Sequence, residues 1–379
     1  MSNPSFMLAN EAQSDLFANA LDQYTGSFTD AFRPKSHLFN GTTPAPFIYR
    51  RNIGPGVSHQ FIMDADVPAP EEFNPGLETL LGQANVTDAD VITADKFLVA
   101  HTKLPLDQNL RSHFTPQFAS SRGSKHADIL SRYYDRRIFT IACQNAREPV
   151  RTKNGLNVHN GGLRLVRGGN SATYATALAA AYPRDSTGAL NILEDFRRMA
   201  RAADENDWNP DNRWVHMTSY MFEVLQYAGA EVWSSDYVQD SNLQMRQVKT
   251  IAGWKLAGVV NQMPSSATST GGGPMPFGNV TAPYTASNSS KFLFDARPTT
   301  GAGTPLCLFW CAPNDPESGA VAVLNRAGPI QVYKYFEESM SFLAYTAFLI
   351  DMGQMHPYLN GSIELSSDAT TTQDIVTNA

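Results

Sequence analysis

The sequence predicts an α+β fold, and three observations carry that reading. One stretch, residues 117–147, holds an uninterrupted helical pattern. Residues 150–330 alternate short strand-like runs with short helical ones. Residues 330–365 are dense in β-branched and aromatic positions and read as long strands.

Taken in order, residues 1–46 read as an arm. Leu16, Phe17, Ala20, Leu21 and Tyr24 stand at helical spacing, and Pro34, Pro44 and Pro46 then interrupt regular structure. So little apolar surface cannot fold alone, so the arm is expected to lie on another surface. Residues 47–104 read as an extended two-stranded hairpin. The outgoing strand covers about residues 58–64, after Gly54-Pro55-Gly56, and the returning one covers about 90–103. Its tip contains Pro68, Pro70, Glu71, Glu72 and Pro75. A ribbon of two strands has no core of its own and must rest on something else.

Residues 105–149 contain the long helix. Ala127, Leu130, Tyr134, Ile138 and Ile141 recur every three or four residues and form the expected buried face. Arg122, Lys125, Arg132 and Arg136 recur about half a turn away and form an expected basic face, which is either solvated or meets acidic protein or nucleic acid. Pro149 ends the helix. In the α/β stretch, Leu190, Leu193, Phe196 and Ala200 mark a helix with Ser186 or Thr187 as cap, and Thr218 or Ser219 caps another. Strands are expected at 163–167, 213–217, 251–260, 291–295, 305–312 and 320–324. Residues 331–365 supply closing strands, and residues 366–379, rich in Ser, Thr and Asp, read as a flexible tail.

Composition narrows the function. Only 17% of the 379 residues are charged, and the formal net charge is -7. A chain built to grip nucleic acid is usually basic overall. Here positive charge gathers instead in residues 101–160, which hold ten Lys and Arg against four Asp and Glu. Low charge with ample neutral polar residues suits surfaces that meet protein, because interface centres are depleted in charge. Cys143, Cys307 and Cys311 are too few for a disulfide framework, and the latter two lie in an apolar run, as buried structural cysteines do. No signal-peptide pattern opens the chain and no apolar run spans a membrane.

Chemistry is hard to find. There is no phosphate-binding glycine loop, nucleophile elbow or paired-histidine metal motif. Asp64 with Asp66, and Asp88 with Asp90, are carboxylates two residues apart, able to share one face of a strand and bind a cation, but both sit at the exposed end of the hairpin. His216, between Trp214 and Met217, reads as a core histidine. No catalytic residue, metal site or cofactor is expected.

The order of elements (arm, long hairpin, long helix, α/β domain, returning strands) resembles the HK97-fold major capsid proteins of tailed bacteriophages, closest to the short-tailed T7-like branch. Three stretches carry the resemblance. They are residues 91–100 leading through Leu106 to Leu110 into the long helix; Arg213-Trp-Val-His-Met with the helix at Tyr220 and the later Ile251-Ala-Gly-Trp-Lys-Leu; and the strands from Val332 through Gly353 to Leu365. The resemblance implies an N-terminal arm (1–46), an E-loop hairpin (47–104), a peripheral domain with a spine helix (105–149), an axial domain (150–330) and closing peripheral strands (331–365). It implies self-assembly into hexamers and pentamers of an icosahedral head around double-stranded DNA held non-specifically, in the virion, after assembly in the bacterial cytoplasm. Implied partners are further copies of the chain and portal, scaffolding or decoration proteins. The E-loop tip would overlap a neighbour. The competing readings are a tail, portal-associated or decoration protein of a virion, and a soluble hydrolase using the paired carboxylates.

Overall fold

A computed structural model of the chain describes residues 21–28, 48–52, 58–64, 87–93, 97–105, 115–146, 148, 150–168, 174–227, 250–259, 304–312, 319, 321–336, 341–354, 356–366 and 373–377. The hairpin-tip residues Pro68, Pro70, Glu71, Glu72 and Pro75, and the strand expected at 291–295, lie outside them.

The first described element is a helical segment, α1 (residues 21–28). Strands β1 (Ile48–Asn52), β2 (Ser58–Asp64), β3 (Thr87–Thr93) and β4 (Phe97–Pro105) follow, and then helix α2 (Thr115–Asn145). The single returning strand read from sequence is two strands. β3 pairs antiparallel with β2, Ser58 opposite Thr93, whereas β4 pairs with the much later β13. A run of β-forming residues does not record which partner each half takes.

A small hairpin, β5 (Arg151–Lys153) and β6 (Leu156–His159), turns at Asn154 and Gly155, both at positive φ, as a tight two-residue turn demands. Next come β7 (Leu163–Gly168), α3 (Tyr174–Ala181), α4 (Ser186–Glu205), β8 (Arg213–Met217), α5 (Ser219–Leu225), β9 (Thr250–Ile251) and β10 (Trp254–Val259). Asp185, rather than Ser186 or Thr187, caps α4, accepting a 2.9 Å hydrogen bond from the Gly188 amide; Thr218 caps α5. The chain closes with β11 (Thr304–Cys311), β12 (Val321–Phe336), β13 (Ser341–Gln354), β14 (Asn360–Ser366) and β15 (Gln373–Thr377).

Two sheets organise these elements. One has the order β1-β12-β13-β4 and the other β15-β7-β14-β11-β8-β10-β9. Two expectations change here. The 330/331 boundary falls inside β12, and β14, expected among the closing strands with β12 and β13, lies between β7 and β11 in the second sheet. The tail is also not wholly flexible, because β15 pairs antiparallel with β7. Strand register depends on partners distant in sequence, and Ser/Thr-rich composition does not preclude an edge strand.

The seven-stranded sheet is buried on both faces. Along β11, Cys307, Phe309 and Cys311 enter one core with α3, α4 and α5, while Leu308 and Trp310, with Ala312 just beyond the strand, enter a second core with α2. That alternation explains a run that is apolar at nearly every position. Helix α2 packs against both sheets. Ala127, Leu130, Tyr134, Ile138 and Ile141 are all buried, joined by Phe139, Ala142 and Cys143, so its C-terminal half buries a wider arc than one stripe.

Candidate functional site

Among the described residues, nothing gathers as a reactive constellation. No three His, Cys, Asp or Glu side chains group as metal ligands among them. No helix there is long and apolar enough to cross a membrane. The three cysteines are free and buried, and burial pushes the Cys307 thiol well up. The buried carboxylate of Asp195 is occupied structurally. Arg167 donates to both Asp195 oxygens at 2.6 and 2.8 Å, and the Tyr182 hydroxyl donates to Asp195 Oδ2 at 2.6 Å. His216 is buried and takes a 3.1 Å hydrogen bond from Trp310 Nε1, with the Phe139 ring edge-on at 5.1 Å. It is a core histidine.

Three regions remain as candidates; the first lies on one helix, and the other two join elements far apart in sequence. The first is the outward face of α2. Arg122 is half-buried and Lys125 is exposed; of the Arg132 and Arg136 side chains nothing is described. At 3.6 residues per turn, Ile129 falls inside the arc marked by these four helix positions. It is 49% exposed. An apolar side chain within a basic face gains nothing from phosphate, but matches a protein partner with apolar and acidic groups.

The second is the end of the β2–β3 hairpin next to its tip, where Met63 faces Asp88 and Asp64 faces Thr87. Asp88 on β3 meets Arg151 at 3.3 Å and Lys153 at 3.5 Å, both on β5, and Lys153 Nζ donates to the Thr87 carbonyl at 2.6 Å. A hydrogen bond from the Ala89 backbone, aided by these cations, holds the Asp88 carboxyl below its usual range. Asp88 is therefore an anchor. Asp66 and the Asp64 and Asp90 side chains lie outside the described residues. The hairpin also stands on apolar contact, since Ile92 packs with Ala322 and Leu324 of β12.

The third is the seat of α1. Tyr24 and Phe28 are buried, so this part of the arm belongs to the subunit core and does not merely lie on a neighbouring surface. The Tyr24 hydroxyl meets His126 Nδ1 at 2.6 Å and Thr346 Oγ1 at 2.7 Å, and His126 Nε2 meets Thr102 Oγ1 at 2.7 Å. Four elements thus meet around the Tyr24–His126 pair: α1 and α2 carry it, β4 contacts the imidazole through Thr102, and β13 contacts the phenol through Thr346. Helix α1 comes this close because Gly123 has no side chain. A Cβ there would sit 2.5 Å from the Tyr24 carbonyl oxygen and would also overlap Ser27 Oγ. Sequence reasoning missed this seat, although a glycine inside a strong helical pattern is the signal that marks such a close approach.

A long hairpin, a long helix and two sheets through which the chain closes define the topology. No family model matches the chain, and no curated protein matches it. Solved phage capsids do share its fold. It is similar to the chain in the capsid structure of cyanophage P-SCSP1u, at 17% identity and a TM-score of 0.62, over 86% of this chain and 89% of that one. It is also similar to the mature capsid of bacteriophage PhiM1, at 15% identity and a TM-score of 0.57, over 85% and 86%. At such identities the likeness is one of fold.

Proposed function

We propose that this chain is the major capsid protein of a tailed, short-tailed T7-like bacteriophage, assembling as hexamers and pentamers into an icosahedral head. The observation that carries the reading is the extent of the structural likeness: nearly the whole chain superposes on nearly the whole of two phage capsid chains. The protein is structural and uses no cofactor. Its work is done by surfaces, which agrees with its low charge. Net acidity keeps the shell from gripping the packaged double-stranded DNA. Portal, scaffolding or decoration proteins complete the particle, which assembles in the host cytoplasm.

Within the shell, the acidic hairpin tip with Glu71 and Glu72 overlaps the basic face of α2 on an adjacent subunit. Ile129 supports a protein partner for that face over DNA. Each exposed pair contributes only about 0–1 kcal/mol, but every subunit repeats it. Negative-stain microscopy of the expressed chain should show rings of capsomers or closed shells; a protein that remains monomeric at high concentration overturns the reading. Reversing the tip charges, Glu71→Lys with Glu72→Lys, should weaken assembly measured by light scattering while leaving the subunit's melting temperature nearly unchanged.

A further inference from the structure

We infer that helix α1 is a plug released by protonation of His126, which makes the attachment of the N-terminal arm to its own subunit a pH-gated contact. The inference concerns a single subunit and stands whether or not the chain builds a shell.

The seat is specific. Tyr24 is wholly buried, yet it is held through its hydroxyl by two elements that follow it by more than a hundred residues, α2 and β13. His126 is 3% exposed and uses both ring nitrogens, one toward Tyr24 and one toward Thr102. A neutral imidazole satisfies both contacts, accepting from one hydroxyl and donating to the other. An imidazolium could also make both, because a hydroxyl accepts as readily as it donates. Hydrogen bonding therefore does not keep the proton out.

What opposes the proton is charge. The ring is buried, and Arg122, one turn earlier on α2, and His101 on β4 both disfavour an added positive charge there. From α1 it meets the neutral Tyr24 phenol, whose pKa burial pushes up to about 12 and whose hydroxyl Thr346 of β13 also contacts. Burial first, then Arg122 and His101, brings the His126 pKa down to about 4. With α1 displaced, the ring meets water and its affinity for a proton rises toward the ordinary value of about 6.5.

The released form thus binds the proton more tightly than the docked form. Docking is undisturbed above about pH 6.5 and weakens as pH falls, by at most about tenfold per unit, until about pH 4. Nothing else in the seat needs to change. Phe28 and the close approach over Gly123 supply the packing that holds α1 in place at neutral pH.

Hydrogen exchange on the full chain tests this, corrected for the intrinsic pH dependence of exchange. Between pH 7.5 and 4.5 the protection of residues 21–28 should fall on the order of tenfold to a hundredfold. Residues 304–311 of β11 should stay protected and serve as the internal reference. A nuclear magnetic resonance titration of the His126 ring should show proton uptake over the same range as the release. Thr102→Asp places a carboxylate beside Nε2 and should keep α1 protected at pH 4.5. Protection of residues 21–28 that is flat with pH, or lost in parallel with β11, overturns the inference. So does a ring titration that does not coincide with release, or a Thr102→Asp protein that loses α1 as readily as the wild type.

Discussion

Replacing Gly123 by alanine sets two opposed effects against each other in one helix. Alanine is the better helix former by about 1 kcal/mol in a helix interior. In an isolated α2 the substitution would therefore stabilise. In the folded subunit the new Cβ falls 2.5 Å from the Tyr24 carbonyl oxygen and 3.2 Å from the Phe28 amide nitrogen. Ordinary contact needs nearly 1 Å more, and the obstacle is α1 backbone, which cannot rotate aside. Overpacking of this kind costs about 1–3 kcal/mol, so the net effect in the full chain is a loss of up to about 2 kcal/mol. Removing residues 1–30 removes the obstacle and leaves only the gain in helix propensity. Urea denaturation of four proteins (wild type, Gly123→Ala, the truncation and the two combined) forms a double-mutant cycle. Gly123→Ala should destabilise the full chain and stabilise the truncated one, with a coupling of about 1–3 kcal/mol. If the effect has the same sign and size in both backgrounds, α1 does not press on α2 at Gly123.

The remaining predictions concern the other polar contacts. Asp195→Ala should destabilise the subunit by about 3–5 kcal/mol in denaturant, because Arg167 is left with an uncompensated, largely buried charge. The paired replacement Arg167→Met with Asp195→Leu should cost far less, and equal losses would show that the carboxylate works through something other than Arg167. Asp88→Asn should speed hydrogen exchange over residues 87–93 at low salt, with the difference shrinking as salt rises, because the contacts to Arg151 and Lys153 are partly exposed and screened. A difference independent of salt would argue against an ionic anchor.

Much of the architecture is local and so was legible in the sequence. Helix α2 announces itself by spacing, because the same 3.6-residue period that builds the helix also sorts Leu130, Tyr134 and Ile138 to one side. The Thr218 cap is likewise decided by the chemistry of a few neighbouring residues.

What the tertiary structure alone decided is which distant segments meet. A strand pattern specifies two faces but not the neighbours along its edges, so β3 and β4 read as one strand, and nothing in residues 360–366 marks the place of β14 between β7 and β11. The seat of α1 lay hidden for the same reason. Tyr24 reads as one apolar position of a short amphipathic helix, and His126 as a polar residue between Lys125 and Ala127. Only when β4, α2 and β13 converge does the imidazole acquire Tyr24, Thr102, Arg122 and His101 as surroundings. Burial and electrostatics are properties of that convergence: they depend on the distances between segments, which a one-dimensional order of residues does not contain.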